Sequence, residues 1–206
     1  MKGLRLLPLL ASVAGCALFT KADPMEARYF SVEPPGPPST AKARETSSLE
    51  LRLGKVNANA FIQDRIVVRD ASYEVEVSEG RRWTEKPETY VRRALTRALF
   101  DQRGVRQIVS GPGPTLEVDV VAFEEVRAPQ HVGRVSLTYA LTDERVVILS
   151  RTTTVDRPVA EASGAAKDNA AIQAIAEALV AAAGTVADEV TKRLSAEPRG
   201  RDETSP

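Results

Sequence analysis

The chain has one cysteine in 206 residues, and it stands at position 16, directly behind a short apolar run. An internal disulfide is therefore impossible, and one Cys with one His cannot build a structural zinc site. Whatever folds here does so without either staple. A domain of about 150 residues buries roughly 68–70% of its unfolded surface, enough to do without a covalent or metal staple. The 43% hydrophobic and 27% charged content is the balance of a globular chain. With 28 basic against 28 acidic residues, it lacks the clustered positive charge of a nucleic-acid binder.

Residues 1–15 read as a targeting segment. Lys2 and Arg5 make a positive start, and residues 6–14 (LLPLLASVA) form an apolar run. That run is too short to cross a bilayer, which takes about 20 residues. It ends in Val13-Ala14-Gly15-Cys16, which resembles the lipobox of bacterial lipoproteins. In such proteins the thiol is acylated, the chain is cut before the cysteine, and the new amino terminus is acylated too. On this expectation residues 1–15 are a signal peptide and residues 16–27 a lipidated tether. Each buried CH₂ contributes about 0.8 kcal/mol, so two or more chains of palmitate length anchor stably where one holds marginally. Ala17, rather than Asp, follows the cysteine, which resembles signals sorted to the outer membrane with the rest of the chain on its periplasmic face. Loss of Lys2 and Arg5 leaves two more acidic than basic residues, so electrostatic adhesion to anionic lipid is not expected.

Residues 28–194 read as one α+β domain, a mostly antiparallel sheet with two main helices packed on one face. A short strand is expected at 28–32, followed by a Pro-rich loop at 33–48 holding Pro34, Pro35, Gly36, Pro37 and Pro38. Period-2 alternation then marks strands near 49–54, 66–69 and 72–78. A helix capped by Thr84 runs through Pro87 to Gln102, with Gly104 just past its end. Three strands follow at 115–126, 134–142 and 145–155, joined by short turns as an antiparallel meander. An Ala-rich helix spans 168–194, with Ile172, Ile175, Leu179, Ala183, Val186, Val190 and Leu194 along one face. Residues 195–206 are polar and expected to be a disordered tail.

Catalytic chemistry finds few candidates. His131 is the only imidazole and lies in a Pro/Gly-flanked turn, read as an exposed turn residue. Glu74 with Glu76, and Glu117 with Asp119, share strand faces and read as solvated surface, whereas Glu124 and Glu125 face opposite sides. In Gly111-Pro112-Gly113-Pro114 two prolines remove the N–H donors that a phosphate cradle needs. No catalytic residue, cofactor or metal ligand is assigned. Arg81-Arg82-Trp83 is the cluster that suggests binding: either a partner hot spot or a Trp closing the core over the helix.

The stretch from Leu49 to Phe100 also carries a family resemblance. Its LRLGKV, IQDRIVVRDASYEVEV and RRWTEKPETYVRRAL segments resemble the auxiliary lipoproteins of ABC-type transport systems, a family that includes the paraquat-inducible C-type component. The lipobox, the upstream RYFSVEPP and the Ala-rich last helix are similar too, so the resemblance covers most of residues 10–194. Asn59-Ala60-Phe61, where a Pro-Tyr-like pair is more usual, and the Pro-rich insert depart from the pattern. The resemblance implies a non-enzymatic protein of the outer membrane that docks a periplasm-spanning MCE (mammalian cell entry) protein for lipid trafficking. It also implies Cys16 as the anchor, Arg81, Arg82 and Trp83 as candidate docking residues, and a homo-oligomer on a ring-shaped partner. The alternative client is another outer-membrane assembly, pilotin-like or concerned with lipopolysaccharide.

Overall fold

The computed structural model describes residues 26–33, 48–70 and 73–196. Cys16, the rest of the expected signal and tether up to residue 25, most of the Pro-rich loop and the tail beyond 196 lie outside these residues.

Eight strands and two long helices follow in the order β1 (Arg28–Phe30), β2 (Glu50–Ala58), β3 (Arg65–Arg69), β4 (Glu76–Trp83), α1 (Pro87–Thr96), β5 (Arg106–Gln107), β6 (Thr115–Val126), β7 (Val132–Asp143), β8 (Val146–Pro158) and α2 (Ala165–Ala196). The fold is a single α+β unit. The backbone of the sheet is the meander β6–β7–β8, antiparallel throughout. The turn between β7 and β8 places Glu144 and Arg145 at positive φ, the geometry a two-residue hairpin needs to match strand twist. On the far side of β6, two shorter groups dock end to end. β2 runs parallel to its first half and carries β5, also parallel. β3 runs parallel to its second half and carries β4 antiparallel, with β1 parallel on β4.

The sheet is therefore mixed, which corrects the mostly antiparallel expectation. Alternation reports which face a residue takes, not the direction of its neighbour, and four of the seven pairings are parallel contacts between segments distant in sequence.

Both helices cover one face. α1 is not capped by Thr84: Lys86 holds the cap position, and Thr84 shares a 2.7 Å hydrogen bond with the Tyr90 hydroxyl instead. Pro87 begins α1, and a π-helical turn, Arg97–Asp101, follows it. Gly104, at φ 66°, then reverses the chain. α2 is long and apolar enough to cross a membrane, yet its apolar stripe, Ile172, Ile175, Leu179, Ala183, Val186 and Val190, is buried on the sheet. Beneath it Val135, Leu137, Tyr139 and Leu141 of β7 alternate inward, which is why this helix reads as amphipathic in the sequence. Gly133 sets the separation: a Cβ there would lie 2.4 Å from the Ile175 nitrogen.

Candidate functional site

β4 puts the three residues singled out in the sequence on its last turn of alternation. Arg81 and Trp83 face the helices and Arg82 faces away. They belong to the strand itself, which starts later than the alternation of 72–78 suggests and continues to Trp83. Trp83 is 2% exposed and meets Tyr90 and Phe123 edge-on, with centroids 6.1 and 5.2 Å away. Of the two readings of this Trp, the structure places it closing the core. Its indole nitrogen has no acceptor among the described residues. Arg82 reaches Asp64 at 2.8 Å, half in solvent.

Arg81 sits in an ionic cluster where β1, β4, β6 and the first turn of α2 converge. Its guanidinium is 2.8 Å from Glu125 and 3.2 Å from Asp168, and Asp168 also pairs with Arg28. Glu125 is 1% exposed and gathers Arg127 at 3.3 Å and His131 at 3.0 Å as well. Burial by itself pushes the Glu125 carboxyl up. Hydrogen bonding and charge from Arg81, with His131 and Arg127, more than reverse this and hold it below the usual carboxylate range. His131 is thus tied to a carboxylate, not a free turn residue. On the opposite face Glu124 is gripped by Arg69 through both oxygens, at 2.9 and 3.1 Å.

Sequence reasoning passed over Glu125 because of a bulge. The β6–β7 register slips at Val121, so the inward set changes from Leu116, Val118 and Val120 to Phe123 and Glu125. An unbroken alternation would have sent Glu124 inward instead. The one available signal was a pair of carboxylates set in an otherwise apolar strand end. Glu117 and Asp119 are exposed as expected, Asp119 accepting from Asn57 at 3.3 Å. The Gly-Pro turn is braced from β2, where the Arg52 amide donates to the Pro114 carbonyl and its guanidinium to that of Gly111.

Two hollows also escaped the sequence. One is a groove of about 760 Å³ between Val32, Glu33 and the N-terminal half of α2, floored by Ile172, Ala176 and Val180. The other, of about 320 Å³ on the face away from the helices, is rimmed by the exposed Phe61, Tyr73 and Val121 over the Arg69–Glu124 pair. Among the described residues no group of three His, Cys, Asp or Glu side chains is placed to hold a metal ion. What the ionic cluster does is fasten strands to a helix. Its Arg81 and Arg127 also line a further hollow, of about 510 Å³, together with Glu76, Ser78 and Glu79.

Among curated proteins, none matches the chain significantly in sequence. Solved structures share its fold. The protein XCC0632 of Xanthomonas campestris superposes with a TM-score of 0.63 at 21% identity, over 81% of this chain and 96% of its own. An uncharacterized protein matches with a TM-score of 0.63 at 13% identity, over 80% and 99%. The hypothetical protein CT253 of Chlamydia trachomatis matches with a TM-score of 0.52 at 8% identity, over 73% and 100%. Residues 30–191 fit the sequence profile of one family, whose span starts in β1 and ends inside α2. With that match the chain belongs to the family of ABC-type transport auxiliary lipoprotein components.

Proposed function

We propose that Cys16 carries the lipid anchor, that the domain stands on the periplasmic face of the outer membrane, and that it serves there, without catalysis, as the docking component for the MCE-type protein of an ABC transport system moving lipid between membranes. One juxtaposition carries this proposal: a lipobox ending at Cys16, followed after a short tether by an auxiliary-lipoprotein domain whose match begins at residue 30. From Cys16 to Arg28 the chain spans at most about 40 Å, so the domain stays close to the leaflet that holds the anchor. Confinement to a surface raises the effective concentration of domain and partner without adding a contact. Support for a non-catalytic role comes from the ionic groups: His131, Glu125 and Asp168 are all committed to pairs that hold the fold. Of the Arg81-Arg82-Trp83 run, Arg82 is the side chain left to touch a partner, while Arg81 and Trp83 shape the surface beneath it. A ring-shaped MCE partner favours a homo-oligomer.

The test is crosslinking in intact envelopes followed by detergent extraction and identification of what stays bound. An MCE-type protein is the expected capture, and its absence overturns the docking role. The anchor is tested apart: Cys16→Ser protein is expected to leave the membrane fraction on alkaline wash, and its retention overturns lipidation at that residue.

A further inference from the structure

A sheet margin is a row of unpaired N–H and C=O groups, and natural proteins protect it. This sheet ends in short strands at two of its margins, β1 with three residues and β5 with two. The third is different. β8 has thirteen residues and, among the described strands, pairs with β7 alone. Its only proline is Pro158, the last residue, and no other described strand lies along it. α2 packs along its helix-facing side, and Arg193 of that helix donates to the Ile148 carbonyl at 2.9 Å.

The side chains of β8 give this margin a character. Away from the helices it presents hydroxyls, with Thr152 bonded to Thr138 and Thr154 to Ser136, both at 2.8 Å. Toward the helices lie half-buried Leu149, Thr153 and Val155, interrupted by the exposed Arg151 and Arg157 in register with Tyr139 and Gly133. Neither arginine forms a salt bridge among the described residues. The strand's single acidic residue, Asp156, is already taken by Arg134 through two 2.7 Å bonds. The strand therefore presents two guanidiniums outside any ion pair among the described residues, six residues apart, about 20 Å along it. Glu189 of α2 lies at the Tyr139 phenol beside Arg151, and Glu33 and Glu177 share a groove with Arg157.

We infer that β8 is a docking edge for an extended, acidic segment of another polypeptide, which adds to the sheet as a further strand. Backbone groups supply the attachment in such strand addition, and alternate side chains supply the selectivity. The matching segment carries small apolar residues toward the helices, hydroxyls on the other face, and carboxylates spaced to meet Arg151 and Arg157. Those arginines also act against a second copy of this chain, since two β8 edges paired antiparallel about Thr154 set Arg151 opposite Arg157. This inference stands whether or not the partner belongs to an MCE system.

The experiment uses the mature chain and two labelled peptides: one with the core Glu-Thr-Val-Thr-Val-Thr-Glu, the other with Lys at both Glu positions. Fluorescence anisotropy reads binding, and amide hydrogen exchange reads where it occurs. The acidic peptide is expected to bind, more weakly at high salt, and to slow exchange across β8. Two exposed ion pairs removed and reversed in R151E/R157E weaken that binding about tenfold and turn the preference toward the Lys peptide. Both positions are exposed, so the variant keeps its fold, which the unchanged exchange of β6 and β7 verifies. Equal binding of the two peptides, protection away from β8, or self-association that protects β8 without peptide each overturns the inference.

Discussion

Gly133 is where sheet and helix meet through backbone alone, and replacing it by Ala measures how firmly the two layers are fixed. A Cβ at this position would lie 2.4 Å from the Ile175 nitrogen, 2.5 Å from the Ala174 carbonyl carbon and 2.9 Å from the Ile175 Cα, against an ordinary contact of 3.4–4 Å. The methyl needs about 1 Å of extra room, and what stands in its way is helix backbone rather than a side chain that can turn aside. α2 would have to lift from β7, where Ile175, Ala178 and Leu179 are packed. A gap of 0.5–1 Å already forfeits roughly a quarter to a half of each dispersion contact. Overpacking costs about 1–3 kcal/mol in general, and a rigid obstacle puts Gly133→Ala near 3 kcal/mol. For a chain of this size that lowers Tm by about 6–12 °C. Urea unfolding of a Cys16→Ser mature chain, followed by the emission of Trp83, the only tryptophan and a buried one, reads the effect directly. A loss below about 0.5 kcal/mol, the range of a neutral surface change, would refute the close approach of α2 to β7.

Gly184→Ala is the counterpart inside α2: its Cβ would meet only the Arg103 Nη2, at 4.0 Å, so the substitution is expected to stabilise by about 0.5–1 kcal/mol in the same urea assay. Glu125→Gln leaves Asp168 as the one carboxylate partner of Arg81 among the described residues, beside the Ser78 hydroxyl, and the loss is expected near 3 kcal/mol, the low end for breaking a buried pair. Because the native Glu125 carboxyl titrates below its unfolded value, its contribution is complete above pH ~4.3 and is lost as pH falls through the lowered native value. The acid limb of a stability–pH curve therefore flattens in Glu125→Gln, and an unchanged limb would show that other carboxylates set it. Burial, and donation of its proton to Glu189 at 2.8 Å, push the Tyr139 phenol well above the usual tyrosine range. Alkaline absorbance titration is expected to show one of the four tyrosines ionising last, and Tyr139→Phe to remove that step at a cost of about 1 kcal/mol.

The parts of the fold legible in the sequence are those where neighbours in space are neighbours in the chain. β6, β7, β8 and α2 were delimited to within about four residues because Val135, Leu137, Tyr139 and Leu141 state their face plainly and short turns state their partner. β5, two residues long, carries no period to read. The flank of β6 was illegible for another reason: β2 and β3 share one side of it, parallel and end to end, an arrangement fixed by packing between segments some 60 residues apart. The site suffered from the same limit. Arg81 was visible as a charge beside a Trp, but its partners Glu125 and Asp168 lie 44 and 87 residues further on. One extra residue in β6 was enough to hide which of two glutamates points inward.

That hidden glutamate stands at the end of the domain where the chain arrives. Phe30, Tyr29 and Arg28 are the first described residues in regular structure, and among the described strands β1 pairs with β4 alone, in register with Arg81, Arg82 and Trp83. Three backbone-paired residues make a weak attachment. Arg28 strengthens it twice, by pairing with Asp168 on α2 and by lying 5.0 Å from the centre of the Phe30 ring. Arg81 bonds the same Asp168 from below while holding Glu125. On the proposed anchor, tension between leaflet and domain enters at this point, along β1, and parallel pairing with β4 loads its hydrogen bonds together in shear. The buried Arg81–Glu125 pair then has a mechanical reason: it ties the strand that receives the load to the longest strands of the sheet and, through Asp168, to the helix that covers them.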